Sequence, residues 1–412
     1  MHRQTRPAVR DSVKAFLSAI VLAAIAMPAY AQNVPAAADN PIAEAPVRFG
    51  PIGIAPHFTL QNVGVDSNVF NTTDNEQSDF TFTGRSGADL WMRTGRGLVT
   101  ADGWVEYVFF QDFDTERAFN RQAKLQYEWR FNRLRPYASG ATLDSRERPG
   151  WEIDERVRRY ENEFHAGTDF RVAPKTTIRV DLEQLDLEFE DDESLGGRRY
   201  DRSLNRTLKS AELSYRQQLT ALTTWVARVT REQERFDFES LRNSDTFRAT
   251  TGFELGRFAL IRGTALVGYR KLSTADGGTF PEFSGFTSNV NVNYTAPTQT
   301  RFNAIFNRDI QYSYDNLTPY YVLTQWTGTL THRVVGRWDV QVTGGRDHLA
   351  YQALAAIDER TDSIGRYGGG VGYTIGEGLR VGFDVQSFYR SSPIRSREYG
   401  NVRAGLSVTY GN

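Results

Sequence analysis

The 412-residue sequence contains no cysteine. Its absence excludes a disulfide scaffold, a thiolate zinc or iron–sulfur site, a cysteine nucleophile and a lipidated N-terminal cysteine. Net charge is also scarce: 49 basic residues stand against 50 acidic ones, a formal −1. A chain so balanced is not built to hold nucleic acid by neutralising phosphates. Lysine is rare, five residues against 44 arginines. Beyond the first 31 residues no apolar run approaches 18 residues, and the mean hydropathy of −0.50 excludes a bundle of membrane helices. Against these shortages stand 52 aromatic residues, many for so polar a chain.

Residues 1–31 read as a secretory signal peptide. Arg3, Arg6, Arg10 and Lys14 form its basic start, Ala15 to Met27 a short apolar stretch, and Ala29-Tyr30-Ala31 fits the small-x-small cleavage rule. Thirteen apolar residues are short for a membrane anchor, which needs about 20. Cleavage after Ala31 leaves 45 basic and 49 acidic residues, a charge of −4. Residues 32–51, rich in Ala and Pro, read as a flexible periplasmic leader before a single domain over 52–412.

Within that domain apolar and polar residues alternate strictly. Ala123, Leu125, Tyr127, Trp129 and Phe131 interleave with Lys124, Gln126, Glu128 and Arg130; Val402, Ala404, Leu406, Val408 and Tyr410 repeat the pattern. Period two over 9 to 13 residues predicts long strands with one apolar and one polar face. Short breakers such as Gly95-Arg96-Gly97, Ala173-Pro174-Lys175, Gln218-Leu219-Thr220 and Val335-Gly336-Arg337 recur every 37 to 44 residues, and longer polar connections lie between them. Eight tight turns and nine longer loops predict an all-β, antiparallel up-and-down transmembrane barrel of about 18 strands, with 16 the alternative. A propeller shares the period but needs four shorter strands per interval. The chain breaks phase twice, between Leu182 and Leu185 and between Leu208 and Ala211, beside the acidic loop at Asp191. A bulge, or strands projecting beyond the bilayer, accounts for this. The last strand ends in Tyr410 followed by Gly411 and Asn412, where most such barrels end in Phe or Trp; recognition by the outer-membrane insertion machinery is then weaker, or tolerant of two extra residues.

With the apolar face toward the outer-membrane lipids, the lumen is expected to be lined by Arg85, Asp89, Arg93, Asp102, Glu106, Lys124, Glu128, Arg130, Glu161, Glu163, His165, Asp169 and Arg171. Arg179, Asp181, Arg248, Glu254, Arg262, Arg301, Asp309, Arg380, Asp384 and Arg403 continue it. Both signs alternate, so cross-strand ion pairs are expected. Planar guanidinium suits such a crowded wall, although arginine richness also follows from genomic base composition. Trp91, Trp104, Phe110 and Phe388 share the polar phase as sugar-stacking candidates, with rim or packing roles the plainer reading. No cofactor or metal is expected: Asp66-Ser67-Asn68 and Asp74-Asn75-Glu76 are oxygen-rich but read as solvated loop, and His165 reads as a histidine within an ion-pair network. No G-x-S-x-G, H-E-x-x-H or P-loop pattern occurs, so an outer-membrane enzyme is the last of the functional readings.

The first hairpin, Val63-Gly64-Val65-Asp66-Ser67-Asn68-Val69-Phe70 followed by Ser78-Asp79-Phe80, resembles the opening of the beta-barrel porin 2 family, with Gly64, Asp66, Asn68 and Phe70 at the motif positions. The resemblance implies an outer-membrane barrel serving as exit conduit for a secreted exopolysaccharide, working with a periplasmic export protein. A diffusion porin for small solutes is the alternative. Physically, the Asp-x-Asn tip suits a turn cap where the first strand meets the first external loop.

Overall fold

The computed structural model describes residues 41–191, 194–195, 198–256, 259–275, 281–354, 359–376 and 378–411. The expected signal peptide (1–31) and the expected leader up to residue 40 lie outside the described residues. The rest of the leader is folded: Pro41–Glu44 forms a helical turn, α1, and Val47–Phe49 pairs antiparallel with the start of the first barrel strand.

Eighteen strands form the wall: β1 (Ile52–Asp66), β2 (Asp79–Thr94), β3 (Gly97–Phe110), β4 (Ala118–Trp129), β5 (Leu134–Glu147), β6 (Val157–Ala173), β7 (Thr176–Phe189), β8 (Arg206–Thr220) and β9 (Thr223–Phe236). The second half is β10 (Ser244–Leu255), β11 (Ile261–Thr274), β12 (Phe283–Thr295), β13 (Thr300–Tyr312), β14 (Tyr320–Val335), β15 (Trp338–Gln352), β16 (Arg360–Ile375), β17 (Leu379–Ser391) and β18 (Tyr399–Tyr410). Each pairs antiparallel with its neighbours in sequence, and β18 closes on β1 from Phe58↔Tyr410 to Asp66↔Arg403. Closure leaves no free sheet edge, which a lipid environment demands because it offers no water to unpaired amides.

Tight turns fall where the breakers predicted, with one displacement: β8 runs through Gln218-Leu219-Thr220 and turns at Ala221-Leu222. Gly95 and Gly336 open two of the turns at φ +60° and +56°, a left-handed conformation glycine adopts without Cβ strain. A true bulge lies in β1, where the register shifts between Leu60 and Val63 against β18 and between Gln61 and Gly64 against β2, and Asn62 takes φ 57°.

The phase breaks have the other cause. Pairing of β7 with β6 and β8 runs unbroken past Leu182 and Leu185. What inverts is polarity: Val180 and Leu182 are exposed on the outer face, whereas Leu185, Leu187 and Phe189, on the opposite phase, are buried. The 17-residue β6 measures about 56 Å at roughly 3.3 Å per residue. Even tilted by about 40° it rises well beyond an apolar band of about 25 Å. Above the band water lies outside, so Gln184, Asp186 and Glu188 turn outward and the apolar residues turn in. There Leu187 and Phe189 cluster with Ile153, Val157, Tyr200 and Leu204 beneath the longer loops.

Candidate functional site

The polar face carries many paired charges, because inward residues on adjacent strands stand directly opposite one another. Arg85 meets Glu106 at 2.6 Å and lies 4.2 Å over the Trp104 ring. Asp89, Asp102 and Lys124 form one cross-strand row, which sets a lysine beside two carboxylates. Glu128 pairs with Arg130 at 2.5 Å, Glu161 with Arg159 at 3.1 Å, and Asp169 with Arg179 at 2.5 Å. Glu254 is held by Arg216 and Arg228, and Arg380 meets Asp339 at 2.6 Å. Asp384 accepts from the Ser407 hydroxyl at 3.0 Å. Arg248 and Asp309 join Glu232 and the fully buried Arg270 in a four-membered cycle with contacts of 2.7 to 3.2 Å. Arg93 stands opposite Leu98, Arg171 opposite Thr177, Arg262 opposite Asn293 and Arg301 opposite Thr331, all toward the tight-turn end.

Part of this wall borders a cavity of about 560 Å³ that runs from the turn residues Pro174 and Lys175 up to Leu208, Gln311 and Leu323. Its lining mixes guanidinium (Arg135, Arg179, Arg228), carboxylate (Glu128, Asp169), amide (Gln126, Asn289) and the Tyr137 phenol. His165 belongs to it: Nδ1 lies 3.0 Å from Asp181 and Nε2 contacts Glu163.

Above the cavity the segment between β5 and β6, residues 148–156, crosses the lumen. Glu152 is buried, with Oε1 accepting from the Ser313 hydroxyl at 2.5 Å and Oε2 from the Tyr314 amide at 3.2 Å, while its backbone carbonyl accepts from Arg397. Arg390 on β17 donates 2.8 Å bonds to the Trp151 carbonyl and to Asp154, and a 2.5 Å bond to Asp362. The Trp151 ring packs on Tyr321, Leu323, Leu349, Tyr351 and Ile364, 6.2 Å from Phe388. Arg148 reaches the Val69 carbonyl in the first loop at 2.6 Å. One short segment thus ties β5 and β6 to β13, β14, β16 and β17 across the barrel. Burial pushes the Glu152 carboxyl up to about 7, against the opposing pull of Ser313, Arg397, the Tyr314 amide and Arg360. At the other end α1 sets Ile42 and Ala45 against Gly53 in β1, where an added Cβ would stand 2.8 Å from Ala45.

The motif of the first hairpin sits at the closure seam. Asp66 accepts from the Asn68 amide at 3.1 Å and pairs with Arg403 of β18 at 2.9 Å. The Asn68 side chain donates to the Thr72 and Gly400 carbonyls, and Asn401 donates to the Asn68 carbonyl. Gly64 lies opposite Gly405, and the Phe70 ring meets Phe113 edge-on at 4.9 Å. Of the polar-phase aromatics, Trp104 donates to Gln122 at 3.1 Å, Phe110 is buried, Phe388 lies 5.4 Å beneath the Arg403 guanidinium, and Trp91 stands opposite Thr100.

Sequence reasoning missed the residues that hold the crossing segment, namely Glu152, Asp154, Asp362 and Arg390. Loop residues carry no periodicity, so nothing in their spacing marks them as interior. Glu232, Asp339, Asp347 and Arg366 were also missed, although the first stands on the same phase of β9 as Arg228.

The family model of beta-barrel porin 2 matches residues 40–412. Among solved structures, a BenF-like porin from Pseudomonas fluorescens Pf-5 is 10% identical with a TM-score of 0.46, covering 87% of this chain and 98% of that one. The outer membrane protein opdK from Pseudomonas aeruginosa is 13% identical with a TM-score of 0.45, covering 87% and 98%. The copper transporter OprC is 10% identical with a TM-score of 0.43, covering 86% of this chain; the chain spans only 63% of OprC's length. No curated protein matches the sequence. An 18-stranded outer-membrane barrel matched along residues 40–412 by one family model, the chain belongs to the beta-barrel porin 2 family.

Proposed function

We propose that the barrel is a gated exit conduit for a secreted polysaccharide, delivered by a periplasmic export protein at the tight-turn side. The observation that carries this reading is the segment Trp151–Asp154, which crosses the lumen over a polar cavity and is bonded to the far wall. A diffusion porin works with its mouth open; a conduit for a large polymer must stay shut between substrates, or the outer membrane leaks. The guanidinium, carboxylate, amide and phenol groups of the cavity offer donors and acceptors to a hydroxyl-rich or acidic chain.

Planar-bilayer recording tests the proposal. The intact barrel is expected to be nearly silent, and a variant lacking residues 149–154 to conduct steadily. In the source bacterium, deleting the gene is expected to abolish surface polysaccharide. Steady conductance of the intact barrel, together with unchanged surface polysaccharide, would make it a diffusion porin instead.

A further inference from the structure

We propose that Glu163, His165 and Glu183 form a binding site for one divalent transition-metal ion of the zinc class, set in the wall of the periplasmic cavity. Glu163 and His165 are two apart on β6, so both side chains point to the same face. Glu183 stands directly opposite His165 on β7. One ligand atom from each lies within 4.8 Å of the others. Donors bound to one ion at about 2.0–2.2 Å stand at most roughly 4.4 Å apart, so small side-chain rotations close the set.

The neighbours favour an ion over a simple ion-pair network. Asp181 lies 3.0 Å from His165 Nδ1 and accepts its proton, and Tyr137 donates to the other Asp181 oxygen at 2.5 Å. That fixes the tautomer in which Nε2 turns a lone pair toward the glutamates, the usual arrangement behind a metal-bound imidazole. Glu183 Oε2 accepts from Ser210 at 2.9 Å, but its Oε1 is buried and accepts no hydrogen bond among the described residues. Three carboxylates around one imidazole leave surplus negative charge even with the ring protonated; a divalent ion in place of that proton halves the surplus. One imidazole and two carboxylates suit zinc, with a fourth position open to water or to an oxygen of the cargo. The site does not depend on what the conduit carries, and conductance is not its readout.

The test is titration of the EDTA-stripped barrel in detergent with zinc chloride by calorimetry, and with cobalt(II) chloride by visible absorption. One zinc per chain with a Kd in the micromolar range or below is expected, and a cobalt d–d band. Glu183→Gln and His165→Gln are expected to weaken zinc binding at least tenfold and to remove the band, with His332→Gln, at an exposed histidine, as the control that keeps both. Heat-modifiable gel mobility checks that each variant is folded. Should His165→Gln fail that check, Glu183→Gln and the wild-type stoichiometry decide. Less than stoichiometric zinc in the wild type, or full affinity in Glu183→Gln, overturns the proposal and leaves a protonated imidazole among carboxylates.

Discussion

Arg390 and Asp362 meet at 2.5 Å with neither side chain exposed to solvent. The same guanidinium reaches the Trp151 carbonyl and Asp154, so one strand residue anchors the segment that closes the lumen. Removing Arg390 leaves the buried Asp362 with Arg360 at 3.5 Å as its nearest charge and takes one donor from both Asp154 and the Trp151 carbonyl. Arg390→Ala is therefore expected to cost about 3–5 kcal/mol in urea unfolding of the barrel. The double variant Arg390→Met with Asp362→Leu is expected to lose less than the single one, and both are expected to conduct in bilayers.

The crossing segment carries a pH dependence through Glu152. Ser313, the Tyr314 amide, Arg397 and Arg360 face this carboxyl and favour its charged form, but burial outweighs them and lifts it from 4.5 to about 7. The docked segment thus retains a proton that a released segment sheds above about 4.5. Docking is fully favoured below that pH and lost as pH rises through about 7, by at most about tenfold per unit. Trypsin cleavage at Arg156, and bilayer conductance, are expected to rise from pH 5 to pH 8. Glu152→Gln is expected to stay closed at pH 8, which gel analysis of the digest will show.

The inverted polarity of β7 gives a depth-dependent pair. Leu182, 54% exposed on the outer face, lies among lipid-facing residues, so Leu182→Arg is expected to cost about 2–4 kcal/mol. Glu188 points outward beyond the band, and Glu188→Arg is expected to cost about 0–1 kcal/mol. Equilibrium unfolding in lipid vesicles distinguishes the two; equal costs would place the bilayer elsewhere on the wall.

Asn68 is fully buried at the seam and bonds backbone groups of both ends of the wall. Asn68→Ala takes the donor from the Thr72 and Gly400 carbonyls and the acceptor from the Thr72 amide, and is expected to cost about 1–3 kcal/mol. The barrel should then lose its heat-modifiable gel mobility at a lower temperature than the wild type.

The sequence alone was enough to expect an up-and-down barrel of about 18 strands and all but one of its tight turns. Alternation is set by backbone geometry, and a membrane imposes it on the strand residues that cross the apolar band. It also resolved the first shortage: a chain without cysteine or long apolar runs holds its aromatics on one face and its balanced charges on the other. Partners across the ladder, such as Arg85 with Glu106 or Asp169 with Arg179, follow once register is known, but register depends on turn lengths that shift by a residue or two, as at Ala221-Leu222. The inversion at Leu185 was visible as an irregularity; its cause needed the unbroken pairing with β6 and β8 and the height of the strands.

Tertiary structure alone decided that a segment crosses the lumen and what holds it there. Trp151 and Glu152 sit in a polar connection with no period, and their partners Ser313, Arg390 and Arg397 are more than 150 residues away. Such contacts arise from closing the barrel, which brings loops distant in sequence over one mouth. Local patterning decides which way a side chain points, whereas only the closed wall decides what it meets there.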